Sequence, residues 1–405
     1  MNHRERVLKT INHEEPDRVP IDIGGMRSTG IHSIAYRELR KYLGYNYDSI
    51  KLYDVFQQLG LIDRDILEHF NADVAPVNRL EPAFGIKIDR WKEGELIDGS
   101  NALVPAEFEP EKEDGVYKIK DDNGRTIAQR SEGSLYYDQA GVYHPLADIN
   151  TKEEIDQEYS WKKISQEEQK FLASQAEELR EKTDYAIMAD FGGSIYEQGQ
   201  LLRGYKQWYL DVAGNKDFVK YLLDKMVENY LANLETFIGV LGDNVDIVVF
   251  GGDDLGMQDG PQISPDTYRE IFLPRHKKMW DYVHDKTDWK VFLHSCGSIY
   301  QLLPHLIEAG VDIVNPVHIN AKGMKPRKLK EEFGDEIVFW GGGCDTQQVL
   351  PNGTVQDVKG EVKKNIEIFS TGGGFVFTPV HNVQPDVPPE NMEAVYKAAQ
   401  EFGSY

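Results

Sequence analysis

Lys290-Val-Phe-Leu-His-Ser-Cys296, with Gly297 behind it, sets three bulky apolar residues between a lysine and a histidine. Val291–Leu293 reads as a short strand buried on both faces, of the kind a parallel sheet uses. The run stops at His294, and helix-like sequence follows from Ile299 to Ala309. A histidine and a cysteine therefore sit where a strand ends and a loop begins, the place where α/β proteins gather their chemistry. The same pattern recurs downstream. Ile337–Trp340 runs into Gly341-Gly-Gly-Cys344, and Phe375–Phe377 runs into Thr378-Pro-Val-His381.

Working outward, strand-like runs recur between helical stretches along the whole chain. They are Arg18–Ile23, Ala72–Val77, Tyr185–Ala189, Val245–Phe250, Val291–Leu293, Val311–Val314, Ile337–Trp340 and Phe375–Phe377. Helical periodicity marks Asn2–His13, Ile34–Leu43, Leu52–Phe70, Gln166–Lys182 and Asp217–Ile238. Ser264-Pro265 and Pro388-Pro389 open further helices, the first with serine as N-cap. Eight strand–helix units predict an α/β protein, a (β/α)8 TIM barrel. Residues 78–160 break the rhythm with alternating runs. Asp122-Asn-Gly124 there signals a hairpin turn between Ile119 and Thr126. This stretch reads as a β-rich insertion after the second strand, within one domain spanning 1–405.

The 405 residues are 40% hydrophobic, enough for a large core, and the formal net charge is −23. That charge argues against nucleic acid and against an anionic membrane surface. A polyanionic substrate would also meet repulsion. Two cysteines make no disulfide framework. Neither a signal peptide nor an apolar run of membrane-spanning length is visible, so the expectation is a soluble cytoplasmic protein without membrane contact.

A barrel brings its strand ends together on one face. That face is expected to collect Asp22 or Arg27, Asp73, Asp190, Asp253, Asp254, His294, Cys296, His318, Cys344 and His381. A zinc on His294, Cys296 and Cys344 would keep a fourth position open, the pattern of a catalytic site. Such a site lowers the pKa of a thiol or polarises an oxygen leaving group. His381 is a ligand, a general acid or a pocket hydrogen-bond donor. Asp253 and Asp254 read as adjacent site carboxylates, or as one cap and one solvated acid. Arg27, Asp73, Asp190, Gln258 and His318 are assigned to the substrate pocket, His318 with a structural role as the alternative. Gly341-Gly-Gly343 is not a phosphate loop, because no Lys-Ser/Thr follows it.

Several of these stretches together resemble the uroporphyrinogen decarboxylase superfamily, over nearly the whole chain. They are Arg4-Glu-Arg-Val7 with Pro16-Asp-Arg-Val-Pro20, Asn71-Ala-Asp-Val74, Ile263-Ser-Pro265 with Tyr268 and Pro274, His294-Ser-Cys-Gly297, and Pro388-Pro-Glu-Asn391. Within it, His294-x-Cys296 is similar to the start of the His-x-Cys…Cys zinc motif of corrinoid-dependent methyltransferases of the methylcobalamin:coenzyme M type. The resemblance implies a barrel, zinc, and methyl transfer between a small methylated substrate, thiol or folate and the cobalt of a corrinoid on a partner protein. A homodimer is left open. Two departures stand out. His381 looks to take the place of the motif's last cysteine, and Cys344 lies one strand earlier, so the third ligand is either of the two. The loop Gly24-Gly-Met-Arg-Ser28 offers only Arg27, where the decarboxylases carry an arginine-rich grip for porphyrinogen carboxylates. Metal-independent decarboxylation of a uroporphyrinogen-type substrate, with Asp73 or a nearby aspartate stabilising a pyrrole cation, is the alternative activity. A binding protein with a closed structural zinc is the non-enzymatic one.

Overall fold

The computed structural model describes residues 1–157 and 159–405. Seven parallel strands form its central sheet in sequence order. They are β1 (Val74–Val77), β2 (Ala186–Gly192), β3 (Ile247–Phe250), β4 (Lys290–His294), β5 (Ile313–Asn315), β6 (Val338–Trp340) and β7 (Phe375–Val376). Residues 20–22 close the barrel between its two edges. The Asp22 N–H donates to the Phe377 carbonyl at 2.9 Å, the Phe377 N–H to Pro20 at 2.8 Å, and the Asp73 N–H to Ile21 at 2.8 Å. The α/β barrel expected from the sequence is thus the fold, and each of the eight runs named above takes its place in it.

Side-chain parity explains why such short strands suffice. Val74, Ala186, Met188, Ile247, Val249, Phe292, Ile313, Val338, Trp340 and Val376 pack together inside the barrel. Their neighbours Ile187, Val248, Val291, Leu293 and Phe339 belong to the outer core under the helices. Alternate residues pointing to opposite faces is the strand period of two. The opening helix, His3–Ile11, plugs the N-terminal end by inserting Val7 and Ile11 into the same inner cluster.

Residues 52–70 depart from the expected helix. Leu59–Gly60 pairs antiparallel with Leu52–Asp54 on one side and with Ile31–His32 on the other, and only Arg64–His69 is helical. The physical reason lies in the turn. Gln58 adopts φ +58°, and a Cβ on Gly60 would stand 2.8 Å from the Tyr36 ring. Contact with the Ser33–Tyr42 helix therefore selects an extended segment over local helical preference. Within the 78–160 stretch, Trp91–Glu95 pairs with Asn101–Pro105, and Val116–Lys120 pairs with Glu111–Glu113 and Thr126–Ser131. Gly124, at φ +75°, makes the turn read from Asp122-Asn-Gly124. Among the described residues, no helix is long and apolar enough to cross a membrane.

Candidate metal centre

His294 ends β4 two residues after Phe292, so strand parity aims it at the barrel axis. Its Nδ1 lies 2.8 Å from Asn315 Oδ1, at the end of β5. The Asn315 amide is fixed in turn. Its Nδ2 donates to the Trp340 carbonyl at 2.9 Å, and its Oδ1 accepts from Ser28 Oγ at 2.6 Å. A carboxamide oxygen only accepts, so Nδ1 carries a proton and Nε2 is the ring nitrogen turned away from Asn315. Nε2 lies 3.5 Å from Cys296 Sγ and 3.6 Å from Asp254 Oδ1.

Cys296 follows on a tight turn whose backbone leaves no room for side chains. A Cβ on Gly297, at φ +83°, would stand 2.4 Å from the Gly256 carbonyl carbon. That packing holds the loop after β4 against the loop after β3, and the Cys296 N–H donates to Asp254 Oδ1 at 2.7 Å. Burial, then Asp254 and Glu197, push the thiol well above its ordinary range. His381 stands edge-on to His294, ring centres 5.8 Å apart, and its Nδ1 meets Asn382 Oδ1 at 2.9 Å. By the same reasoning its Nε2 is the free acceptor. Burial and the neighbouring His294 push His381 down to about 4, so the ring is neutral.

Ligand atoms of His294, Cys296 and His381 all lie within 4.8 Å of one another. Two imidazoles, each with Nδ1 engaged by an asparagine oxygen, and one thiol are a donor set that suits zinc, with three protein ligands as in catalytic sites. Each imidazole has a side-chain acceptor on its far nitrogen, the usual outer support of metal-bound histidine.

Cys344 does not join this group. The turn at Gly341 and Gly342, φ +101° and +79°, ends strand parity after β6. The Cys344 thiol is fully buried beside Glu361 of the helix Val355–Phe369, and burial with Glu361 pushes it well above its ordinary range. The expected convergence of Cys344 with His294 and Cys296 is replaced by His381.

Asp73 is likewise not at this face. It precedes β1 and so lies at the barrel's N-terminal end. There it accepts from His3, Arg6, Arg18 and the Ile21 N–H, all within 2.9 Å. Asp253 is committed as well. Its carboxylate accepts the N–H groups of Ile195, Tyr196 and Glu197 and pairs with His276 at 2.8 Å. It is the capping member of the pair, and Asp254 the site member.

The remaining expected residues have partners of their own. Asp190, near the end of β2, accepts the Gly192 N–H at 2.9 Å. Arg27 is bound to Asp54 and to the Pro82 carbonyl at 2.7 Å. His318 Nδ1 faces the Gly297 N–H at 3.3 Å, and burial lowers its pKa. Gln258 is exposed on the loop after β3, where its carbonyl accepts the Lys322 N–H at 2.9 Å. Asp22 is buried beneath, accepting from Trp340 Nε1 and the Gly25 N–H, each at 2.7 Å, and burial pushes it up to about 6.

Sequence reasoning missed four residues. Asn315 and Asn382 orient the two histidines, and their signal was position: one ends a strand, the other adjoins His381. Tyr136, from the 78–160 stretch, donates to Asn382 Oδ1 at 3.1 Å. Glu197 opens the helix Tyr196–Arg203 and had no motif at all.

Comparison with known proteins agrees with this architecture. Residues 144–402 match the family described as Uroporphyrinogen decarboxylase (URO-D), and the chain belongs to that family. Among its relatives is the methylcobamide:CoM methyltransferase MtaA of Methanosarcina barkeri, 26% identical over 198 residues, 47% of this chain and 54% of that protein. Another is the methylated-thiol–coenzyme M methyltransferase of Methanosarcina mazei, 27% identical over 143 residues, 34% of each chain. A uroporphyrinogen decarboxylase of Pseudoalteromonas translucida is 33% identical over 75 residues, 18% of this chain and 20% of that one. The chain spans about half or less of the length of these relatives. A solved methyltransferase from Methanosarcina mazei shares the fold over 99% of both chains, with a TM-score of 0.63 and 17% identity.

Proposed function

We propose that this chain is a zinc-dependent methyltransferase that moves a methyl group between a small methylated compound and the cobalt of a corrinoid carried by a partner protein. The observation that carries this reading is the convergence of His294, Cys296 and His381 at the ends of two different strand–loop units. The names of the MtaA relatives supply the corrinoid and the methyl group. A bound zinc would act there as a Lewis acid, polarising the heteroatom that bears the methyl group.

The chain's own residues supply the rest. His294, Cys296 and His381 would hold the ion, while Asn315 and Asn382 fix the two imidazole rings through Nδ1. Asp254 accepts the Cys296 amide and so sets the loop on which the thiol sits. Arg27, Asp190, His318 and Gln258 border the pocket in which the substrate is oriented. The decarboxylase alternative is less well served. Its cation-stabilising candidate Asp73 lies at the opposite end of the barrel, and Arg27 is already paired with Asp54.

Metal analysis of the purified protein, with free cob(I)alamin as methyl acceptor, tests the proposal. About one zinc per chain is expected, falling below about 0.2 in His294→Ala, Cys296→Ala and His381→Ala. A metal-free wild type that decarboxylates uroporphyrinogen at a normal rate would refute it.

A further inference from the structure

Methyl transfer as described leaves one acid beside the metal centre without a task. Glu197 stands in the first turn of the helix Tyr196–Arg203. Asp253 clamps that turn through the N–H groups of residues 195–197 and is itself held by His276, whose Nδ1 meets the Tyr268 hydroxyl at 2.9 Å. The clamp presses Glu197 against the loop after β3, where its carboxyl meets the Asp254 N–H. A Cβ on Gly252 would stand 2.6 Å from Glu197 Oε2, so glycine there is what admits the carboxyl. Asp254 is the residue that takes the Cys296 amide and lies 3.6 Å from His294 Nε2. The Glu197 carboxyl thus reaches the backbone of Asp254, whose own carboxylate lies next to the metal-binding group. Two like charges that close do not both ionise freely. Burial, with Asp254 and Asp253, pushes the Glu197 acid well above its ordinary range.

Charge points independently to the kind of substrate admitted. Arg27 and Arg79 are guanidinium groups within electrostatic reach of Asp190. Arg27 is committed to Asp54, and Arg79 to Glu168 and to the Phe191 carbonyl. Asp190 and Asp254 remain as an acidic surplus. A divalent ion on a Cys296 thiolate adds one net positive charge, which Asp254 alone offsets. An anionic substrate would have to enter against the rest.

We propose that Glu197 is the proton donor to the oxygen that loses the methyl group, and that the substrate is an uncharged O-methyl compound, an alcohol or an ether. This rests on the methyl-transfer reading above. The C–O bond breaks, and its electron pair stays on oxygen. The methyl carbon takes the electron pair of a two-electron nucleophile, a cobalt(I) corrinoid. The Glu197 O–H bond breaks and its proton goes to the oxygen, leaving water from methanol, or an alcohol or phenol from an ether, and a Glu197 carboxylate that solvent reprotonates. Cobalt supplies both electrons, and no further oxidant or reductant enters. Oxygen is the atom that needs this help. A thiol of pKa about 8.5 leaves unaided as thiolate, whereas an alkoxide, whose parent resembles water at about 15.7, does not.

Two measurements test the assignment. The first is the infrared difference between wild type and Glu197→Gln at pH 7, with zinc content measured alongside. A protonated carboxyl band present in wild type and missing in the variant is expected; its absence in wild type overturns the proton donor. Asp253, Asp254, Arg27, Tyr205 and Cys296 are the titratable and charged groups facing Glu197, so the band is assigned by the substitution rather than by its titration. The second is methylation of free cob(I)alamin by methanol, 2-methoxyphenol, tetramethylammonium and methylthioethanesulfonate. Glu197→Gln is expected to keep its zinc and lose ~10²–10⁴-fold in kcat on the O-methyl probes with KM little changed, and Glu197→Asp to recover part of it. Loss of zinc together with activity would make Glu197 a structural residue and overturn the role. A wild type that demethylates only the ammonium or the sulfonate overturns the O-methyl assignment and leaves methyl transfer standing. A zinc-loaded wild type that uses none of the four counts against methyl transfer itself.

Discussion

Replacing Asp73 with alanine should unfold the barrel more easily without emptying its metal centre. The carboxylate is fully buried and receives His3 Nδ1, Arg6 Nη1 and Arg18 Nη1 at 2.7 Å each, Arg18 Nη2 at 2.9 Å and the Ile21 N–H at 2.8 Å. These bonds tie the opening helix, the closing segment 20–22 and the start of β1 into one knot. Alanine leaves the Arg6 guanidinium, 7% exposed, with Asp17 as its one carboxylate, and strips Arg18 of its own. Breaking a buried pair from one side costs roughly 3–5 kcal/mol. At about 2.1 cal/mol/K per residue, a chain this long has an unfolding entropy near ~0.85 kcal/mol/K, so Tm should fall by roughly 4–6 °C. Burial alone would raise the Asp73 acid, but His3 and Arg18 overturn it and leave the pKa below 3.8. The stabilisation is therefore complete above about 3.8 and fades as pH falls through the lower folded value, so wild type and Asp73→Asn should converge only in strong acid. Differential scanning calorimetry with zinc analysis measures both effects. A variant of wild-type Tm that has lost activity would place Asp73 in the chemistry and refute the structural role.

Three further outcomes are expected. Cys344→Ala should keep its zinc, whereas Cys296→Ala should lose it, with metal analysis as the readout; equal loss would return Cys344 to the ligand set. Asp22, pushed up to about 6, holds its proton more tightly folded than unfolded, so its burial opposes folding increasingly as pH rises from about 3.8 through 6. Asp22→Asn should gain stability over wild type across that window, by up to ~3 kcal/mol at pH 7 in urea titrations. Asn315→Leu frees the His294 ring to turn and should weaken zinc affinity ~10–100-fold in chelator competition, with the Tm of the metal-free protein lowered less than in Asp73→Ala.

How far the sequence discloses this molecule follows from what strand parity controls. The eight runs were legible because a barrel strand buried on both faces must be continuously apolar, and Val291–Leu293 or Val245–Phe250 has few other uses. His294 was legible for the same reason, two residues beyond Phe292 and on the same side of its strand. Asp73 was misplaced because an aspartate beside an apolar run does not say which end it marks; it precedes Val74 and so belongs to the opposite face. Cys344 was misplaced because three glycines after Trp340 erase the parity that a side chain would keep, and the thiol turned outward to Glu361. Residues 52–70 showed helical spacing, yet the hydrogen-only face of Gly60 against Tyr36 was decisive, and that contact exists only once the chain has folded.

Glu197 lay beyond any such reading. It sits on a helix, 57 residues in sequence from Asp254, whose backbone N–H its carboxyl meets (254 − 197). What brings the two together is Asp253, which clamps the helix start with one side chain while the next residue faces the metal group. Adjacent residues on an extended turn point opposite ways, so one aspartate of the pair had to face inward to the helix and the other toward the cysteine. The pair of acids was therefore visible in the sequence as a pattern, but its partition into clamp and site neighbour, and the third carboxyl that the clamp delivers, belong to the tertiary fold alone.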